Sequence, residues 1–88
     1  MSIGNLQIGS YLPFTAGQAQ LVKTGTGALL GFIGTVAGSA TIYDNTTASA
    51  PVIVASVPIS VGWNNLSVAF GTGLYIALTT AAGTAVWV

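Results

Sequence analysis

From Gln18 onward the chain alternates apolar and polar residues with a period of two. In "QAQLVKT", Ala19, Leu21 and Lys23 share one face, and Gln20, Val22 and Thr24 the other. Leu66, Val68 and Phe70 oppose Ser67 and Ala69; Leu74, Ile76 and Leu78 oppose Tyr75, Ala77 and Thr79. Trp87 alternates with Val86 and Val88. Strict alternation marks strands with one buried face. Turn chemistry falls between the runs: "GTG" at Gly25–Gly27 and again at Gly71–Gly73, Ala37-Gly38-Ser39, "DNTTASAP" at Asp44–Pro51, a turn within "ISVGWNN" at Ile59–Asn65, and Ala82-Gly83. The pattern predicts about seven short strands, spaced roughly ten residues apart, as in a sandwich or barrel. The expected fold is all-β: a compact antiparallel β-sandwich or jelly-roll-like barrel over residues 18–88, preceded by an extended N-terminal arm over residues 1–17.

The stretch "GALLGFIGTVAG" (Gly27–Gly38) admits a second reading. Gly27 with Gly31, and Gly34 with Gly38, match the small-residue spacing of packed membrane helices. A span needs about 20 mostly apolar residues. Between Lys23 and Asp44 the strongly lipophilic residues are Leu29, Leu30, Phe32, Ile33, Val36 and Ile42, interrupted by Thr26, Thr35, Ser39 and Thr41. At roughly −0.3 to −0.6 kcal/mol each, the six contribute about −3 kcal/mol, much of it offset by their polar and glycine neighbours. The β-branched run "VIVASV" and the alternating last third favour strands. As a strand, the stretch sets Ala28, Leu30, Phe32, Gly34 and Val36 against Leu29, Gly31, Ile33 and Thr35, apolar on both faces and suited to cover on both sides.

In Met1–Gly17, Ile3, Leu6, Ile8, Leu12 and Phe14 are scattered among Gly4, Gly9 and Pro13. These five are the candidate contact residues of an arm that docks on another protein surface.

Composition narrows the function. Of 88 residues, 52% are hydrophobic and 2% charged, where a soluble domain carries about 25% charge. The charged side chains are Lys23 and Asp44, and their net is zero. A free surface with so little charge tends to self-associate. Either lipid or a permanent protein assembly must cover it. The absence of His, Cys, Glu and Arg removes the usual metal ligands, cofactor anchors, thiolate and His-assisted nucleophiles, and paired carboxylates. The expectation is no enzyme, no metal, no cofactor and no small-molecule substrate. One Lys cannot neutralise a phosphate backbone, which argues against nucleic acid. The N-terminus lacks a basic n-region and a continuous apolar core, so no secretory signal is expected. Without cysteine there is no disulfide to infer.

Trp63 and Trp87 are the candidate exposed aromatic contacts; the competing expectation is a loop Trp63 folded onto the sandwich end and a Trp87 in the core or a subunit interface. Tyr43 and Tyr75 should reach the sheet rim with their hydroxyls. Lys23 and Asp44 flank the central strands as a candidate pair, which exposed would contribute about 0–1 kcal/mol. The two "GTG" segments lack the helix start and Lys-Ser/Thr of a phosphate loop, and read as turns.

Three segments carry a resemblance. "LVKTGTG" (Leu21–Gly27), "TIYDNTTA" (Thr41–Ala48) and "FGTGLYI" (Phe70–Ile76) resemble a group of small tailed-phage virion proteins, and the likeness covers most of Leu21–Val88. The resemblance implies a β-sandwich on the virion: a capsid decoration or cement protein that binds the outer capsid surface and bridges major capsid subunits, or a fibre or receptor-binding module. The scarcity of charge favours a tightly embedded role. Homo-oligomers close by symmetry, and a trimer is the first expectation. A small membrane protein is the remaining alternative.

Overall fold

A computed structural model describes residues 10–88. It contains eight strands: β1 (Ser10–Phe14), β2 (Ala19–Thr24), β3 (Gly27–Val36), β4 (Gly38–Tyr43), β5 (Val52–Ile59), β6 (Gly62–Phe70), β7 (Gly73–Thr79) and β8 (Ala82–Trp87). Among the described residues no helix is long and apolar enough to cross a membrane. Gly27–Val36, the ambiguous stretch, is a strand.

Two four-stranded sheets form, ordered β1-β8-β3-β6 and β2-β7-β4-β5. Every pair of neighbours is antiparallel. The pairs β1–β8, β2–β7, β3–β6 and β4–β5 nest inside one another, as if one long hairpin had been rolled up. That is the jelly-roll winding, which packs two sheets face to face. The β2–β3, β4–β5 and β6–β7 connections meet at one end, where the Gly25 N–H donates to the Thr72 carbonyl at 2.9 Å. At the other end the Gly17 N–H donates to the Ala81 carbonyl at 3.0 Å.

The core lies between the sheets. Leu29, Phe32, Ile42, Leu74 and Ile76 are its largest fully buried side chains. In β7 the alternation works as expected: Leu74, Ile76 and Leu78 point in, Tyr75 and Ala77 out. Gly83 in β8 lies between Phe14 of β1 and Gly34 of β3. A Cβ there would collide with the Ile33 carbonyl oxygen and come within 2.7 Å of the Phe32 ring. Its missing side chain lets Phe14 and Phe32 meet edge to face, with centroids 5.9 Å apart.

Four local expectations are corrected. Ser10–Phe14, expected in the arm, is a strand of the sandwich paired with β8. Pro13 is tolerated because β1 is an edge and needs no donor on its outer side. Pro58, expected to close its run, lies inside β5, which is also an edge and continues to Ile59. Trp63, Asn64 and Asn65, expected in a turn, belong to β6. In β3 the register against β8 shifts between Leu29 and Gly31. The extra residue, Leu30, puts Leu29 and Phe32 on the same inward face and breaks the strict alternation.

Candidate functional site

The sheet β1-β8-β3-β6 contains no charged residue in any of its four strands. Its register builds the outer face row by row. One row runs Tyr11, Val86, Gly31, Asn65; the next runs Pro13, Thr84, Ile33, Trp63. Tyr11 is 74% exposed, Trp63 55% and Ile33 44%. Gly31 explains how Trp63 is held. A Cβ on Gly31 would lie 2.6 Å from the indole atoms Cζ2 and Cη2. The ring therefore rests on the bare backbone of β3. Trp63 thus covers Gly31, and Val86 lies between Gly31 and Tyr11 in the same row.

Asn64, the inward neighbour of Trp63, pins the strand. Its Nδ2 donates to the carbonyls of Ser60 at 2.8 Å, Gly62 at 3.0 Å and Phe32 at 3.1 Å. Its Oδ1 accepts the Ser60 N–H at 2.9 Å. The β5–β6 turn and β3 are thereby tied to the strand that presents Trp63.

The opposite outer face, on β2-β7-β4-β5, carries the row Leu21, Tyr75, Tyr43, Val52. Tyr43 and Tyr75 pack edge to face at 6.1 Å. Both charged residues belong to this half: Lys23 in β2, and Asp44 just after β4.

Asp44 closes the loop end. Its Oδ1 accepts the N–H groups of Thr72 at 2.7 Å, Gly71 at 3.0 Å and Gly73 at 3.2 Å; Oδ2 also accepts from Gly71 at 3.0 Å. The Thr72 N–H, then that of Gly71, with a lesser contribution from Gly73, hold its carboxyl below the usual carboxylate range against the opposing effect of desolvation. The second "GTG" is therefore an anion-holding backbone concavity, occupied by the chain's own carboxylate. Lys23 is not the partner Asp44 finds. The segments "TIYDNTTA" and "FGTGLYI", far apart in sequence, meet at this bond.

The candidate contact residues separate into groups. Ile3, Leu6 and Ile8 lie outside the described residues. Leu12 is half-buried against the core, and Phe14 is 5% exposed within it. Trp87 packs half-buried against the core, whereas Trp63 stands open on the outer face. Tyr11 and Ile33 were not singled out from the sequence. Ile33 follows Phe32 in a strand apolar on both faces, and only the sheet order leaves its side uncovered. Comparison of the chain with protein-family models, curated proteins and solved structures finds no match.

Proposed function

We propose that the chain is a structural virion protein, a capsid decoration or cement protein. It binds the outer capsid surface as a homo-oligomer and stabilises the shell by bridging major capsid subunits. The observation that carries this reading is the uncharged outer face of β1-β8-β3-β6, with Tyr11, Ile33 and Trp63 exposed on it. Aromatic anchors in a charge-free centre are the composition of protein-binding hot spots. These anchors stand on strands, so little ordering entropy is lost when they dock. Jelly rolls recur in viral capsid proteins and lectins, an analogy of fold that raises the reading without carrying it. The mechanism is stapling: shell opening must break the decoration contacts as well as the shell's own.

The test compares undecorated shells, shells with the wild-type chain and shells with Ile33→Asp. Wild type should raise the rupture temperature. Ile33→Asp should stay folded, fail to bind and leave the shells as fragile as bare ones. Equal rupture temperature with and without bound wild-type protein rejects the stapling role.

The exposed indole of Trp63 also supports a second reading, a fibre or receptor-binding module that stacks a sugar ring. A glycan array separates the two: binding lost in Trp63→Ser favours the module, and a blank array leaves the cement reading.

A further inference from the structure

Two sheets leave four edge strands: β1 and β6 in one, β2 and β5 in the other. An edge offers unpaired N–H and C=O groups to any passing strand unless proline, charge or a bulge blunts it. β1 carries Pro13. β2 carries Lys23 and a register shift beside it. β5 carries Pro58 and two register shifts. β6 carries neither proline nor charge. Its side chains give that edge no protection.

The backbone of β6 interrupts it instead. Asn65 pairs with Gly31 and Val68 with Leu29, so Leu66 and Ser67 together oppose Leu30. Ser67 has φ 48°, in the left-handed region that a Cβ disfavours. An extra residue bends a strand and increases its twist. The bulge divides β6 into Gly62–Asn65 and Val68–Phe70, each shorter than the about five to six residues of an ordinary strand. The Ser67 hydroxyl donates to Asn65 Oδ1 at 2.8 Å, a bond that bridges over Leu66 and braces the bulge. β5 is built alike: Ala55 and Ser56 oppose Thr41, and Ser56 has φ 51°. The Ser56 N–H donates to Thr41 Oγ1 at 3.2 Å. On β5 the bulge adds to Pro58; on β6 it stands without such help.

We propose that Ser67 guards the β6 edge: its left-handed bulge bars the addition of a further strand, in a chain whose single lysine lies on another edge. A straight incoming strand cannot stay in register with both halves of β6, because the two halves are bent and twisted apart at Ser67. Contacts with a shell or with other copies then run through side chains on the outer sheet faces and not through backbone pairing. The inference is independent of whether the chain binds a shell.

The test uses the purified full chain, with mass read by light scattering and folding by circular dichroism. Valine is β-branched, opposes a positive φ and favours the extended strand. Ser67→Val should stay folded and grow into species of many times the wild-type mass. Ser56→Val, on an edge that keeps Pro58, should hold the wild-type mass. Asn65→Lys added to Ser67→Val should restore the wild-type mass, because lysine blunts an edge. Thr84→Lys added instead puts the same charge on the inner strand β8 and should not. A folded Ser67→Val of wild-type mass overturns the proposal. Equal growth of the two valine variants overturns it too, as does a rescue that does not depend on where the lysine sits. A Ser67→Val chain that does not fold also overturns it, because the bulge then serves the fold and not the edge.

Discussion

Phe14→Ala tests whether the chain's first described strand is body or arm. Phe14 is 5% exposed, and its ring meets Phe32 at 5.9 Å over Gly83. Phe→Ala in a core costs about 3–5 kcal/mol from lost transfer energy and the cavity left behind. The edge-to-face pair accounts for about 0.5–1.5 kcal/mol of that. β1 is an edge strand and can partly collapse into the space, so the lower end, about 3 kcal/mol, is expected. An 88-residue domain has a total stability of roughly 4–13 kcal/mol. The loss is thus about a fifth of it at least. At about 4–8 °C per kcal/mol for a domain of this size, the thermal midpoint should fall by about 12–24 °C. Tyr11→Ser, three residues away on the same strand but 74% exposed, should shift stability by no more than about 0.5 kcal/mol. Differential scanning calorimetry or circular dichroism at equal protein concentration reads both. A fall below about 4 °C for Phe14→Ala, or equal falls for the two variants, would refute the placement of β1 in the sandwich and restore an arm that extends to Gly17.

Asp44 is the chain's one acidic side chain, so side-chain acid sensitivity traces to a single group. Its folded carboxyl titrates below its unfolded value, because the N–H of Thr72, then those of Gly71 and Gly73, stabilise the anion. The stabilisation is therefore complete above the unfolded value, near 3.9, and is lost as pH falls through the lower folded value. The thermal midpoint should be flat from neutral pH down to about 5 and drop below about 4. Asp44→Asn should lower the neutral midpoint and remove the acid drop, and an unchanged acid drop in that variant places the titration elsewhere. Gly31→Ala would put a Cβ against the Asn64 carbonyl oxygen and 2.6 Å from the Trp63 ring. Because the carbonyl is backbone, the strand must shift, at a cost of about 1–3 kcal/mol. Tryptophan emission should change as the indole lifts off β3, and wild-type emission with wild-type stability would show that the ring does not rest there.

The strand count shows where sequence reading stops. Seven of the eight strands follow from alternation and turn residues. The eighth, β1, shares its period with them: Leu12 and Phe14 lie inward and Tyr11 and Pro13 outward. Pro13 and the nearby glycines disguised it, because a proline argues against a strand until the strand is known to be an edge. The same knowledge extends β5 through Pro58. Trp63 was misplaced into a turn for a related reason. Gly62 and two asparagines read as turn chemistry, yet Asn64 spends its amide on the turn just before it while remaining in β6.

The sequence alone determined the class of the fold and the near-absence of charge, since both depend on residue type and spacing within a few neighbours. It also marked the turns, whose residues act locally. The tertiary structure decided which strands became edges, which apolar face stayed open and what Asp44 holds. Those depend on contacts between residues far apart in the chain, as between Asp44 and Thr72 or Ile33 and Trp63. An apolar residue is equally ready to be core or contact surface, and only the winding of the two sheets separates Phe32 from Ile33.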